Sequence, residues 1–207
     1  MRVAENLNAA LHGLLDDDPT AYLLGEDILD PYGGAFKVTK GLSTRFPGRV
    51  IGTPISEGAL TGVAAYLALT GNTAVAEIMF GDFVALAFDQ LCNFASKSVS
   101  MYGRRLPLRM VVRCPTGGGR GYGPTHSQSL QKHFVGMPGL SLYEMSPSTT
   151  TARCSRRCWS GASRACSSRT RSSTPGRWTW WTRCSGCAVT ATWPWSSSTT
   201  RTTTPTA

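Results

Sequence analysis

Glu57 and His126 are the two titratable residues whose neighbours in the chain best suit chemistry. Glu57 opens a run of small and apolar residues, EGALTGVAAYLALTG. Two readings of it stand side by side. A carboxylate in the first turn of a helix is favoured by the helix dipole alone. A carboxylate held in an apolar pocket at a strand end would have its pKa raised by burial and could share a proton. His126 lies in the run Thr125-His126-Ser127-Gln128-Ser129, just after the Gly-rich stretch GGGRGYG of Gly117–Gly123. An imidazole there is either structural or a proton carrier near neutral pH. The Gly-rich stretch has no Gly-Lys-Ser/Thr ending and no GxGxxG opening a helix, so it is neither a P-loop nor a dinucleotide fingerprint. A flexible loop that brings Arg120 to an anionic ligand and a purely structural loop are both open readings.

The elements that must position these groups follow from the spacing of apolar residues. Val3, Leu7, Ala10, Leu11 and Leu14 share one face of a helix over residues 2–15, which ends near Asp16–Pro19. Ala21–Leu24 reads as a strand running into Gly25-Glu26-Asp27, and the turn Gly33-Gly34 leads to a helix predicted over Val38–Phe46. Val50-Ile51 is a strand ending at Thr53-Pro54, and Ser56 is placed to cap a helix over Glu57–Leu69. Ala74–Met79 is a buried type of strand, Phe83–Met101 the longest helical pattern, and Leu108–Arg113 a further strand. A short helix from Ser127 and a strand near Leu140–Tyr143 follow. Alternating strands and helices predict an α/β fold, a parallel sheet flanked by helices. Ligands in such sheets bind at the carboxyl ends of the strands. The turns of interest are therefore Gly25–Asp27, Thr53–Glu57, Phe80–Phe83 and Cys114–His126.

Composition changes abruptly at Ser148. Residues 1–147 carry 12 Lys/Arg and 12 Asp/Glu, so the formal charge of +9 belongs wholly to residues 148–207. That segment holds nine Arg and all six Trp, 27 of its 60 residues are Ser or Thr, and it lacks Lys, Asp, Glu, Leu, Ile, Phe, Tyr and Met. One reading is a basic arm for nucleic acid, with Arg on phosphates and Trp stacked on bases. Another is a metal or redox segment, from Cys184 and Cys187 in a CxxC and Cys154 and Cys158 four apart. The reading adopted is a frameshift after Pro147. The residues permit a back-translation in which one restored T yields a helix-like apolar pattern, then Arg-Gly, then the short strand-like run CLFFE. On that reading 148–207 is a disordered tail, and nucleic acid is not an expected partner.

The body of 147 residues is long enough for one domain with a real core. Cys92 and Cys114 read as buried thiols outside any disulfide framework. Arg2, Glu5 and Asn6 interrupt any N-terminal apolar run, and no stretch reaches ~18 apolar residues, so neither a signal peptide nor a membrane span is expected. A cytoplasmic protein is the expectation.

Several runs in register carry a family resemblance: Gly25–Leu42 (GEDI with GGAFKVTKGL), Thr53–Gly58 (TPISEG), Ala76–Gln90 (AEIMFGDFVALAFDQ), the Gly-rich loop, His126–Ser129 (HSQS) and Met137–Leu140 (MPGL). Together they resemble the β subunit of thiamine-diphosphate-dependent 2-oxoacid dehydrogenases of the pyruvate, branched-chain and acetoin type, over essentially all of residues 1–147. The resemblance implies a transketolase-like pyrimidine-binding domain. Glu57 would hydrogen-bond N1′ of the cofactor's aminopyrimidine and favour its imino tautomer, whose 4′ nitrogen takes the thiazolium C2 proton. The resulting ylid attacks the 2-oxo carbon, and the cofactor then serves as electron sink. Phe83 falls where the family sets an aromatic ring against the pyrimidine, with Ile55 and Met79 lining the same pocket. His126 matches the family's active-site histidine, a proton donor and orienter for the acyl intermediate or lipoyl acceptor.

Departures from the family pattern shape the remaining expectations. The body has no GDG…N pattern for holding diphosphate through Mg²⁺, and Gly81-Asp82 lacks the following Gly. Mg²⁺ is therefore expected on an α subunit, the partner in the family's heterotetramer, with a lipoyl-bearing acyltransferase as the second partner. The family's C-terminal domain is expected to be absent, and the pyrimidine domain incomplete. A sheet lacking a strand would expose an edge and apolar surface. The chain is thus expected to be an inactive, aggregation-prone product of an enzyme's gene. The alternatives are a non-enzymatic, pseudogene-like fragment and a fragment whose basic tail binds nucleic acid.

Overall fold

The computed structural model describes residues 3–98, 100–103, 106–116, 121–144, 177–183 and 187–194. Its centre is four parallel strands, β1 (Ala21–Gly25), β2 (Val50–Gly52), β3 (Thr73–Glu77) and β4 (Met110–Pro115), in the order β2-β1-β3-β4. Gly25 pairs with Gly52 on one side and with Glu77 on the other, and Glu77 pairs with Arg113. All four carboxyl ends therefore lie along one edge. The chain steps outward one way from β1 to β2 and the other way from β3 to β4. The crevice beside β1 and β3 is thus the topological switch point, where ligands bind in such sheets.

Helices α1 (Val3–Asp17), α2 (Leu42–Arg45) and α3 (Glu57–Leu69) complete this core. Strand side chains alternate between its faces, as the period of two requires. Leu23, Val75 and Val111 pack with Leu7, Leu11, Leu14 and Leu15 of α1. Leu24, Ala74, Ala76, Met110 and Val112 pack with Leu60, Ala64, Ala65 and Ala68 of α3. Each leucine so buried contributes about 2 kcal/mol relative to exposure. The alanines of α3 let that helix lie close on the sheet, which brings its N-terminus down to the strand ends.

Three predicted helices differ from expectation. The helix expected over Val38–Phe46 is reduced to α2, with a 3-10 turn at Ala35–Lys37 ahead of it. The Asn8 amide of α1 donates to the carbonyls of Val38 and Lys40, which a helix would have used, and Gly41 is left-handed at φ 81°. Asp30 organises the same loop, accepting from the Gly41 N–H at 2.8 Å and the Ser43 and Thr44 hydroxyls at 2.7 and 2.8 Å. Those bonds, the Gly41 amide foremost, hold its carboxyl well below the usual carboxylate range.

The long pattern Phe83–Met101 is also broken. It forms a 3-10 helix at Gly81–Ala87, a π-helical turn at Gln90–Ala95 and a last α turn at Ser96–Ser98. Ser96 and Ser98 bond back to the carbonyls of Cys92 and Phe94 at 2.6 Å, a local competition that distorts a helix. No helix starts at Ser127. Single 3-10 turns stand on either side, at Pro124–His126 and Gln131–His133.

Beyond β4 the sheet continues as β5 (Ser141–Glu144), β6 (Arg177–Arg183) and β7 (Cys187–Pro194), in the overall order β2-β1-β3-β4-β7-β5-β6. Residues 177–183 and 187–194 of the segment after Ser148 are extended in β6 and β7. The expected open edge beside β4 is instead covered in parallel by β7. Trp and Thr make up most of β6, and β7 carries Thr, Val and Trp, residue types that favour extended chain whatever reading frame produced them. Arg120, Cys154, Cys158 and Cys184 lie outside the described residues.

Candidate functional site

Glu57 is the first residue of α3, directly beyond the end of β2. The Thr53 N–H donates to the Gly25 carbonyl at 2.9 Å and extends the β1–β2 ladder one step before the chain turns. Ser56 holds the N-cap position as expected, but its hydroxyl forms no cap. Its N–H donates instead to Glu26 Oε1 at 3.1 Å. Glu26 and Glu57 are 6% and 4% exposed, so two buried carboxyl-bearing side chains meet at the switch point. Burial, and then the charge of Glu57, push the Glu26 carboxyl up from its ordinary value. Among the described residues nothing donates a hydrogen bond to the Glu57 carboxylate. Gly25, at the end of β1, lets the chain pass close to Glu77 and Ile28. A Cβ there would lie 2.8 Å from Glu77 Cβ, Glu77 O and Ile28 Cγ2.

The second half of the site follows β3 and β4. Met79 and Phe83 are half-buried just past β3, where the 3-10 helix at Gly81–Ala87 begins. That helix starts on top of the end of β4, so closely that a Cβ on Gly81 would collide with the Thr116 side chain. His126 packs edge-on against Phe80 and Phe83, with ring centroids 4.8 and 5.2 Å away. Tyr122 reaches Phe80 at 5.6 Å. The Thr125 hydroxyl lies 3.0 Å from His126 Nδ1. Asp82 Oδ1 accepts the Gln128 N–H at 3.0 Å, which ties the segment carrying His126 to the segment carrying Phe83.

Below both halves, Glu77 and Arg113 form a two-bonded ion pair on adjacent strands, at most 3% exposed. Burial pushes the Glu77 carboxyl up, and the Arg113 guanidinium, which cannot shed its proton, opposes that push. Next to them the Cys114 thiol is driven by burial to a pKa of about 12, so it is inert as a nucleophile. An open cleft of about 620 Å³ lies at the ends of β1 and β2, bordered by Asp27, Asp30, Tyr32, Lys37 and Thr53.

The sequence-predicted residues thus fall into two groups along one sheet edge. Phe83 and His126 are brought into ring contact, and Glu57 meets Glu26. Ile55 stands on the loop before Glu57 and is 84% exposed. Roles for Glu26 and Asp82 escaped the sequence reading, although both stand in turns it singled out by position.

Residues 1–163 match the transketolase pyrimidine-binding domain family. Over 143 residues the chain is 39% identical to the pyruvate dehydrogenase E1 component subunit beta of Staurastrum punctulatum, covering 69% of this chain and 43% of that protein. It is 37% identical over 152 residues to the acetoin:2,6-dichlorophenolindophenol oxidoreductase subunit beta of Cupriavidus necator, at 69% and 44% coverage. It is 38% identical over 144 residues to the mitochondrial 2-oxoisovalerate dehydrogenase subunit beta 2 of Arabidopsis thaliana, at 69% and 40%. The matches thus span less than half the length of these curated relatives. Among solved structures, a split-gene transketolase described as an inactive beta4 tetramer shares the fold at TM-score 0.50 and 23% identity, over 65% of this chain and 40% of that one.

Proposed function

Since the chain belongs to the transketolase pyrimidine-binding domain family, we propose that it is the β-subunit, pyrimidine-binding half of a thiamine-diphosphate-dependent 2-oxoacid dehydrogenase. Such an enzyme decarboxylates a 2-oxo acid oxidatively and passes the acyl group to a lipoyl arm. The observation that carries this reading is Glu57, a buried carboxylate at the switch point with no hydrogen-bond donor among the described residues. A group so placed fits a ring nitrogen of an aminopyrimidine, which can share one proton with it. Phe83 fits as the aromatic neighbour of that ring, with Met79 beside it. Ile55, exposed in the chain alone, fits as an apolar wall that a bound cofactor or partner would cover.

When bound, thiamine diphosphate supplies the electron sink for decarboxylation. The chain's own residues do the rest of the work at this half of the site. Glu57 holds a proton at the pyrimidine nitrogen. Glu26, its carboxyl pushed up by burial and then by the charge of Glu57, accepts the Ser56 N–H and fixes the turn that leads into Glu57. His126, wedged against two phenylalanines, is aimed to give or take a proton at the acyl group. The diphosphate and Mg²⁺ are assigned to an α subunit, because the body lacks a GDG…N pattern. The proposal includes a heterotetramer with that subunit, a lipoyl-bearing acyltransferase as acceptor, and a cytoplasmic location. Among the described residues no helix is long and apolar enough to cross a membrane. The chain mixed with an α subunit of a related enzyme is expected to bind thiamine diphosphate with Mg²⁺ more tightly than the α subunit alone, by calorimetry. Equal binding with and without the chain would refute the proposal.

The domain reading is part of the same proposal: residues 1–147 are the pyrimidine-binding domain, and 148–207 are out of frame. It is supported by the switch in composition at Ser148 and by matches to relatives that extend over only 69% of the chain. Resequencing the gene across the codons for Pro147 and Ser148 is expected to show one additional T. The sequence as given, recovered unchanged, would overturn the frameshift as a sequencing error and leave a genuine product.

A further inference from the structure

We propose that Asp82 is the positioning residue for His126. Asp82 stands in the first turn of the 3-10 helix that carries Phe83, and it is 8% exposed. Its Oδ1 accepts the N–H of Gln128, two residues past His126, at 3.0 Å. Within the segment, the Thr125 hydroxyl also lies 3.0 Å from His126 Nδ1, and two other bonds are longer. The His126 N–H reaches the Gly123 carbonyl at 3.4 Å, and the Gln131 amide reaches Thr116 Oγ1 at 3.4 Å. The Asp82 bond spans 46 residues of chain and joins the two loops whose rings meet, Phe80 and Phe83 on one and His126 on the other.

The second carboxyl oxygen carries a cost in stability. Asp82 Oδ2 is buried and has no hydrogen-bond partner among the described residues. Leaving a buried acceptor unsatisfied costs about 1–3 kcal/mol. An apolar residue of similar size would avoid that cost but could not accept the Gln128 N–H. Holding that amide, and with it the imidazole, is what the carboxylate accomplishes.

The functional weight of His126 rests on the reading above, but its placement by Asp82 does not, so the test reads placement directly. In proton NMR of the full chain, the His126 ring protons are expected to be displaced by the ring currents of Phe80 and Phe83. His133, which is exposed, gives the undisplaced reference, and His12, 5.9 Å from Phe46, reports whether the fold is intact. Asp82→Ala is expected to bring the His126 resonances to the His133 values while those of His12 stay in place. Asp82→Asn, whose side-chain oxygen can still accept from Gln128, is expected to keep them displaced. Full displacement in a folded Asp82→Ala, or its loss in Asp82→Asn, would overturn the proposal. If Asp82→Ala does not fold, the asparagine variant alone decides. In an active complex with an α subunit, Asp82→Ala should lower kcat with little change in cofactor affinity, and Asp82→Asn should rescue it. An unchanged kcat with lost displacement would refute the role of His126 and leave its positioning standing.

Discussion

Glu57→Ala is expected to lower 2-oxo acid decarboxylation by about 10²–10⁴-fold in a complex with an α subunit, the range typical of a positioned proton-transfer group. The effect should fall on kcat and much less on cofactor affinity, because the diphosphate anchor lies elsewhere. Glu57→Gln is expected to be nearly as damaging, since an amide cannot share a proton with a ring nitrogen as a carboxyl group does. Stability should barely suffer. Glu57 receives no hydrogen bond from the described residues, and its removal relieves the charge that raises Glu26. The check is steady-state kinetics beside a thermal melt. A variant with full turnover would show that the carboxylate only favours the start of α3.

The largest effect on folding is expected at Arg113. Its guanidinium and the Glu77 carboxylate are buried together between β3 and β4, where their backbones are also in register. A buried pair adds little over well-packed apolar residues, but removing one partner leaves an uncompensated charge, at a cost of about 3–5 kcal/mol. Domains of this size are stable by only about 5–15 kcal/mol in all. Arg113→Met should therefore leave a chain that is barely folded, or unfolded, in urea titrations. Arg113→Met combined with Glu77→Gln should recover most of the loss, since the stranded charge is gone. A single variant within about 1 kcal/mol of the parent would mean the pair is wet, as surface pairs are.

The parts of the fold that rest on local spacing were legible in the chain. The leucine stripe of α1, the alanine-rich α3 and the short apolar strands have the right period, and they form within a residue or two of their expected limits. The parts that rest on side-chain hydrogen bonds to the backbone were not. The helix expected over Val38–Phe46 is undone by Asn8, some thirty residues earlier. The helix expected over Phe83–Met101 is distorted by two serine hydroxyls whose back-bonding has no signature in an apolar period.

The site divides in the same way. Glu57 and His126 could be singled out from their neighbours, because a lone carboxylate before an apolar helix and an imidazole after a Gly-rich loop are local features. Glu26 and Asp82 acquire their roles only from amides 30 and 46 residues away, at Ser56 and Gln128. Strands β6 (RWTWWTR) and β7 (CAVTATWP) were missed because they lie in a Ser/Thr- and Arg-rich segment that reads as composition bias and not as a core.

The most direct test is hydrogen–deuterium exchange at the thiazolium C2 of thiamine diphosphate, followed by NMR with the chain, an α subunit and Mg²⁺ present. Exchange faster than with the α subunit alone, and lost in Glu57→Ala, is the predicted result. Exchange at the same rate with the chain, without it and with the alanine variant would contradict the claim that Glu57 activates the cofactor.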